Sequence, residues 1–315
     1  MTCVSMTAPT DPQIDPPVDR YAAERRRLRA MSKPFLNDEF MEGPPRYRGS
    51  DYRQPRLRRS TFDPKTLVFE SRLGGGDDGF VWKVRFGGEG PFALKVFWDQ
   101  VPPQEVGSYY PMQRECQNAA VLQMMEAAVA SEPVLVYTHP YGKVDANENY
   151  FSFCEENALS KLGVKVDSTV PSGTKLISEL PPMVQCYGWV KFPSDTLEGL
   201  PINLQATHDE PHKVSKLVGS HMDCIAIVYE FIEDVKNKIG PVGKVDSFLW
   251  FAGFAYANEP EEKSWRNSIL VDYSEIIHMR GYGWNEEDYM DRSAEQIIDD
   301  EDLEHELDPD YEDLS

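Results

Sequence analysis

Four short stretches of the chain carry residue types that do phosphate and metal chemistry. Gly74-Gly75-Gly76-Asp77-Asp78-Gly79-Phe80-Val81 fits the pattern G-x-G-x-x-G-x-V without a mismatch. Glycines at Gly74, Gly76 and Gly79 let a backbone approach phosphates closely and offer them N–H donors. Phe92-Ala93-Leu94-Lys95 places an ammonium among Leu94, Val96 and Phe97. A lone charge on such an apolar surface is costly, so Lys95 calls for an anion, either a phosphate or a helix carboxylate. Glu115, 20 residues further on (115 − 95), is such a carboxylate. Leu270-Val271-Asp272-Tyr273-Ser274 ends a short buried strand on a carboxylate. Each piece also has a plainer reading: a hairpin turn, an edge-strand lysine in solvent, an exposed helix glutamate, a strand-capping aspartate.

Elements must position these residues. Leu67–Glu70, Phe80–Phe86 and Phe92–Trp98 are apolar runs separated by glycine clusters and read as an antiparallel meander. Pro111 suits a helix N-terminus, and Met112, Ala119, Leu122, Met125 and Ala128 form an apolar stripe on a helix reaching about Ala130. Residues 131–180 read as an insertion with a helix over Asn149–Leu162, and residues 194–221 as a loop. Met183–Phe192 reads as a strand, and Ile225–Ile232 as a buried one. A helix over Val245–Asn258, a short strand over Ser268–Tyr273 and a helix over Glu286–Ile298 complete the chain.

A strand, a glycine loop and two further strands, the second carrying a lysine, form the arrangement that covers nucleotide phosphates in protein kinases. The order of glycine loop, Lys95, Glu115, Val228-Tyr229-Glu230-Phe231-Ile232 and Asp272 resembles the protein-kinase superfamily from about Leu67 to Ser274. More specifically, Leu73–Val84, Phe92–Val96, Gln113-Arg114-Glu115-Cys116 and Arg266-Asn267 followed by Leu270-Val271-Asp272-Tyr273-Ser274 are similar to the fungal kinetochore Sim-four-complex subunit FTA-two domain family, whose members look like degenerate kinases. The resemblance implies an α+β, protein-kinase-like fold. Residues 61–232 would form an antiparallel-sheet N-lobe with one key helix, and residues 233–284 a reduced, mostly helical C-lobe. Residues 1–60 would be a disordered basic, proline-rich arm and residues 285–315 an acidic tail.

For the site, the resemblance implies ATP beneath Gly74, Gly76, Gly79 and Val81, with Lys95 between the phosphates and Glu115. The backbone of Glu230 and Ile232 would pair with adenine, and Asn267 and Asp272 would hold Mg²⁺. Glu262, five residues before Asn267, has the spacing of a catalytic base. No H-R-D and no A-P-E occurs, and a glutamate is one methylene longer than the aspartate expected there. The chain therefore reads as a pseudokinase or atypical kinase. Two other readings stand beside it. One is a non-catalytic scaffold for protein partners at a kinetochore or centromere, without nucleotide. The other is an α+β domain whose glycine loop is only a turn, with Lys95 far from Glu115.

The totals bound these readings. Of 315 residues, 41% are hydrophobic, enough for a substantial core. The net charge of −21 is concentrated: residues 285–315 hold 15 acidic residues against 1 basic, a net of −14. The overall acidity, rather than the tail, argues against direct nucleic-acid binding by the folded domain. Five scattered cysteines without a C-x-x-C fit a reducing compartment, and no run is apolar and long enough to span a membrane. The basic clusters Arg25–Arg27 and Arg56–Arg59, with the resemblance, point to an intracellular and nuclear rather than cytoplasmic protein.

Overall fold

The computed structural model describes residues 20–163, 170–218 and 223–298. The first 40 or so of these carry α1 (Arg20–Met31), β1 (Leu36–Phe40), the one-turn α2 (Gly49–Arg53) and β2 (Leu57–Arg59). The expected meander follows as β3 (Leu67–Gly75), β4 (Gly79–Phe86) and β5 (Glu89–Phe97), and then the long helix α3 (Pro111–Ser131). Next come β6 (Val134–Tyr137), α4 (Gly142–Ser152), β7 (Thr174–Ile177) and β8 (Cys186–Pro193). A short α5 (Asp195–Glu198) and α6 (Pro211–Val218) lead into β9 (Asp223–Glu230). The remainder holds α7 (Ile239–Phe251) and four two-residue strands: β10 (Ala255–Tyr256), β11 (Trp265–Arg266), β12 (Ile269–Leu270) and β13 (Ile276–Ile277).

The fold is α+β around a seven-stranded mixed sheet ordered β1-β2-β8-β9-β5-β4-β3. Five strands, β8 to β3, pair antiparallel, while β1 and β2 join in parallel along the β8 edge. The alternation of β4 and β5 assigns their two faces. Phe80, Trp82, Val84, Phe92, Leu94 and Val96 build one core cluster on the far side of the sheet. Lys95 and Phe97 point the other way, where Phe97 joins the larger core around α3 and α7. The far face is covered by residues 194–218. Leu197 and Leu217 insert into it, and Trp82 Nε1 donates to the Leu204 carbonyl at 2.7 Å. That stretch is therefore not the open loop expected from its polar composition.

Four further expectations are corrected. Residues 20–60 are not a disordered arm: Tyr52 and Leu57 are fully buried, and Gln113 of α3 donates its amide to the carbonyls of Ala30 and Lys33. The helix expected over Asn149–Leu162 lies earlier, as α4 (Gly142–Ser152), and it packs into the body: Tyr150 is buried, donates to Tyr52 O at 2.9 Å and stacks beside His278. The region after β9 is not mostly helical. It has one helix, which starts earlier and ends earlier than expected, and two hairpin-like strand pairs. In place of a helix over Glu286–Ile298 there is one 3-10 turn at Ala294–Gln296, with Tyr289, Ile297 and Ile298 buried against the body. The rest of the acidic tail and residues 1–19 lie outside the described residues. No helix among the described residues is long and apolar enough to cross a membrane.

The docked arm makes a direct prediction. Tyr52→Ala should destabilise the protein by about 3 kcal/mol or more, because it empties a fully enclosed ring site. Chemical denaturation measures this. A change below about 0.5 kcal/mol, as for a surface position, would mean that the arm is not packed.

Candidate functional site

The site begins with strand register. β4 and β5 pair so that Val81 lies opposite Lys95, and β5 and β9 pair so that Lys95 lies opposite Ile227 and Ala93 opposite Tyr229. Lys95 is only 5% exposed. Its Nζ lies 2.6 Å from Glu115 Oε2 and 2.7 Å from Asp272 Oδ1. The ammonium thus joins the sheet, α3 and the segment after β12.

Each partner is itself held. Glu115 is fully buried in the first turns of α3 and accepts from Tyr229 OH at 2.8 Å. Asp272 Oδ1 accepts from the Ser274 amide at 3.0 Å and the Ser274 hydroxyl at 2.6 Å. Asn118, three residues after Glu115 on α3, donates to the carbonyls of Tyr273 and Ile276 and accepts from the His278 amide. One helix therefore supplies both the carboxylate for Lys95 and the amide that fixes the backbone carrying Asp272.

Electrostatics follow from burial. At Glu115, desolvation is the largest influence and pushes the carboxyl up to about 7, despite the adjacent ammonium. Burial works against charge on Lys95 too, but Asp272, Glu115 and Asp78 outweigh it and hold the ammonium above the usual lysine range. For Asp272, burial is opposed by Lys95 and the two Ser274 donors, which together keep its carboxyl below the usual range.

The glycine loop closes the mouth of this arrangement. Gly79 sits so close to β5 that a Cβ there would come within 2.3 Å of the Val96 carbonyl, which admits only glycine. Gly74 adopts φ +139°, again a glycine conformation. The loop is tied internally and to its base. The Gly76 amide donates to Gly79 O at 3.0 Å, Trp98 Nε1 donates to Gly76 O at 2.9 Å, and the Trp98 amide donates to Asp78 O at 3.0 Å. Asp78 and Asp77 at its tip are held by Tyr109 and Lys213 respectively.

Other residues singled out by their spacing sit elsewhere in the contact network. The Glu230 amide is engaged by the Gln185 carbonyl at 2.8 Å, and Ile232 is half-buried in the bend after β9. Asn267 and Ser268 form the two-residue turn joining β11 and β12, with φ of 49° and 64°. A turn with both central residues left-handed favours asparagine, so backbone geometry alone accounts for the residue type. Asn267 is exposed, and no hydrogen bond joins it to Asp272 among the described residues. Glu262 accepts from Asn237 Nδ2 at 3.1 Å, and Asn237 Oδ1 accepts from the Ser268 amide, so both belong to the scaffold of that turn. Among the described residues no group of three or more His, Cys, Asp or Glu side chains could by itself hold a metal ion. Asp272 is the one carboxylate beside Lys95 that is partly exposed, so a magnesium ion there would need waters and ligand phosphates for the rest of its shell.

Sequence reasoning missed Tyr229, Asp78, Tyr109 and Arg114. Tyr229 was within reach: in β9 it shares a face with Ile227, and the pairing with β5 puts that face on the Lys95 side. Tyr109 and Arg114 gave no comparable pattern. Comparison with known proteins brings no match: no family model, no curated protein and no solved structure matches the chain.

The raised carboxyl of Glu115 predicts a pH signature. A folded-state value near 7 against an ordinary 4.5 means that the native state binds this proton more tightly than the unfolded chain. Its contribution to stability is complete below about 4.5 and lost as pH rises through 7. Melting temperature plotted against pH should therefore fall more steeply between those values for the wild type than for Glu115→Gln. Parallel curves would contradict the assignment.

Proposed function

We propose that the cleft between the glycine loop, Lys95 and Asp272 is a kinase-like nucleotide-binding site whose phosphotransfer machinery is incomplete, making the protein a pseudokinase. The observation that carries this reading is the placement of Lys95 between Glu115 and Asp272, at 2.6 and 2.7 Å. An ammonium shared by a helix carboxylate and a strand-end carboxylate, below a glycine loop, is the arrangement that positions nucleotide phosphates in protein kinases. Val81 and Ala93 are half-buried on the Lys95 side of the sheet and offer an apolar ceiling for a base. Lys95 would contact the phosphates and Asp272 the magnesium ion that accompanies them. The incomplete part is the base and second metal ligand. Glu262 and Asn267, the residues with suitable spacing, serve a hairpin turn.

A second reading, a scaffold that recognises protein partners without nucleotide, is favoured by one observation. The Gly76 amide, a donor that a phosphate would use, is already taken by Gly79 O. The kinetochore association belongs to this proposal as well and rests on the resemblance alone.

Calorimetric titration with MgADP separates the two. The pseudokinase reading expects saturable binding that Lys95→Met weakens by about tenfold or more, since a charge-assisted phosphate contact is lost. Ala93→Trp, which fills the ceiling and leaves the ion pair in place, should also abolish binding. Absence of binding, or binding indifferent to both changes, would favour the scaffold.

A further inference from the structure

The tip of the glycine loop is acidic, and its Asp78 carboxylate is held in place. Asp77 meets Lys213 of α6 at 3.2 Å. Asp78 receives the Tyr109 hydroxyl on both of its oxygens, at 2.6 and 2.8 Å. Tyr109 is in turn clamped: the Arg114 guanidinium lies over its ring, 3.7 Å from the centroid, and Arg114 Nη1 donates to Ser274 O at 3.3 Å. Ser274 is the residue whose amide and hydroxyl hold Asp272. A continuous chain of contacts thus runs from the loop tip, through Tyr109 and Arg114, to the carboxylate beside Lys95.

We propose that Asp78, held in place by Tyr109, sets which nucleotide the cleft accepts, admitting a nucleoside diphosphate and excluding the triphosphate. This deepens the nucleotide reading above and rests on it. The carboxylate cannot swing away from the mouth without giving up both Tyr109 contacts, and its main chain is fixed by the Trp98 amide. Its charge reaches the ammonium at the base of the cleft, since Asp78 is among the anions that hold Lys95 protonated. A phosphate chain lying on Lys95 beneath the loop would feel the same charge with opposite sign. The carboxylate that faces the loop side of this network is Asp78, with Asp272 on Lys95 and Arg114 behind Tyr109. The terminal phosphate of a triphosphate adds further negative charge where the loop tip sits. In a partly desolvated cleft, a like charge a few ångströms away weakens binding by an order of magnitude or more.

The test is titration of the full chain with MgADP and MgATP at one ionic strength, comparing wild type, Asp78→Asn and Tyr109→Phe. Wild type should bind MgADP about tenfold or more tightly than MgATP. Asp78→Asn should raise the affinity for MgATP more than that for MgADP, until the two are within about threefold. Tyr109→Phe, which releases the carboxylate while keeping the ring over Arg114, should narrow the gap in part; it also provides a second readout if Asp78→Asn melts early. Equal binding of the two nucleotides by wild type, or a preference that survives both substitutions, overturns the proposal while leaving the nucleotide reading intact. If none of the three proteins binds either nucleotide, the nucleotide reading falls, and this proposal with it.

Discussion

A protonated amine enclosed by protein is tolerated only where anions reach it, and Lys95 has two, from parts of the chain 20 and 177 residues away (115 − 95 and 272 − 95). Much of the surrounding architecture serves that requirement. The register of β5 between β4 and β9 sets the depth of the ammonium. Helix α3 must bring Glu115 to it, and the same helix uses Asn118 to hold the carbonyls of Tyr273 and Ile276, which fixes Asp272. Tyr229 caps the second oxygen of Glu115 from the neighbouring strand. Sheet, helix and C-terminal segment are tied at one point.

The cleft is reinforced from two unexpected directions. The N-terminal segment wraps the outer side of α3, so that helix is buried nearly all round instead of being amphipathic at the surface. The 194–218 segment lies over the far face of the sheet, and its Lys213 reaches the glycine loop. Both restrain the elements around Lys95: the helix from its outer side, and the glycine loop through the Lys213–Asp77 contact.

How much of this was legible depended on how local the cause was. The meander and α3 follow from apolar alternation, glycine clusters and Pro111, all short-range signals. Lys95, Glu115 and Asp272 were legible because a charged residue within an apolar run must find a partner, and their types left few choices. The arm was misread because β1, Leu36-Asn37-Asp38-Glu39-Phe40, is polar and lies at a sheet edge, where burial leaves no alternation. Its anchoring rests on isolated residues such as Tyr52 and Leu57, invisible as a pattern. Asn267 shows the opposite error. An asparagine at an attractive spacing was given a chemical role, while its backbone, with left-handed φ in a two-residue turn, already explains it.

The coupling between the Lys95 ammonium and the two carboxylates joins sheet, helix and C-terminal segment. A double-mutant cycle of Lys95→Met and Asp272→Asn, read by denaturant unfolding, measures that coupling directly. Lys95→Met leaves Asp272 without its cation, and Asp272→Asn takes one of two anions from Lys95, so the double variant should be more stable than the sum of the single losses by about 1 kcal/mol or more. Losses that add to within about 0.3–0.5 kcal/mol would show that the two side chains do not meet in the folded protein.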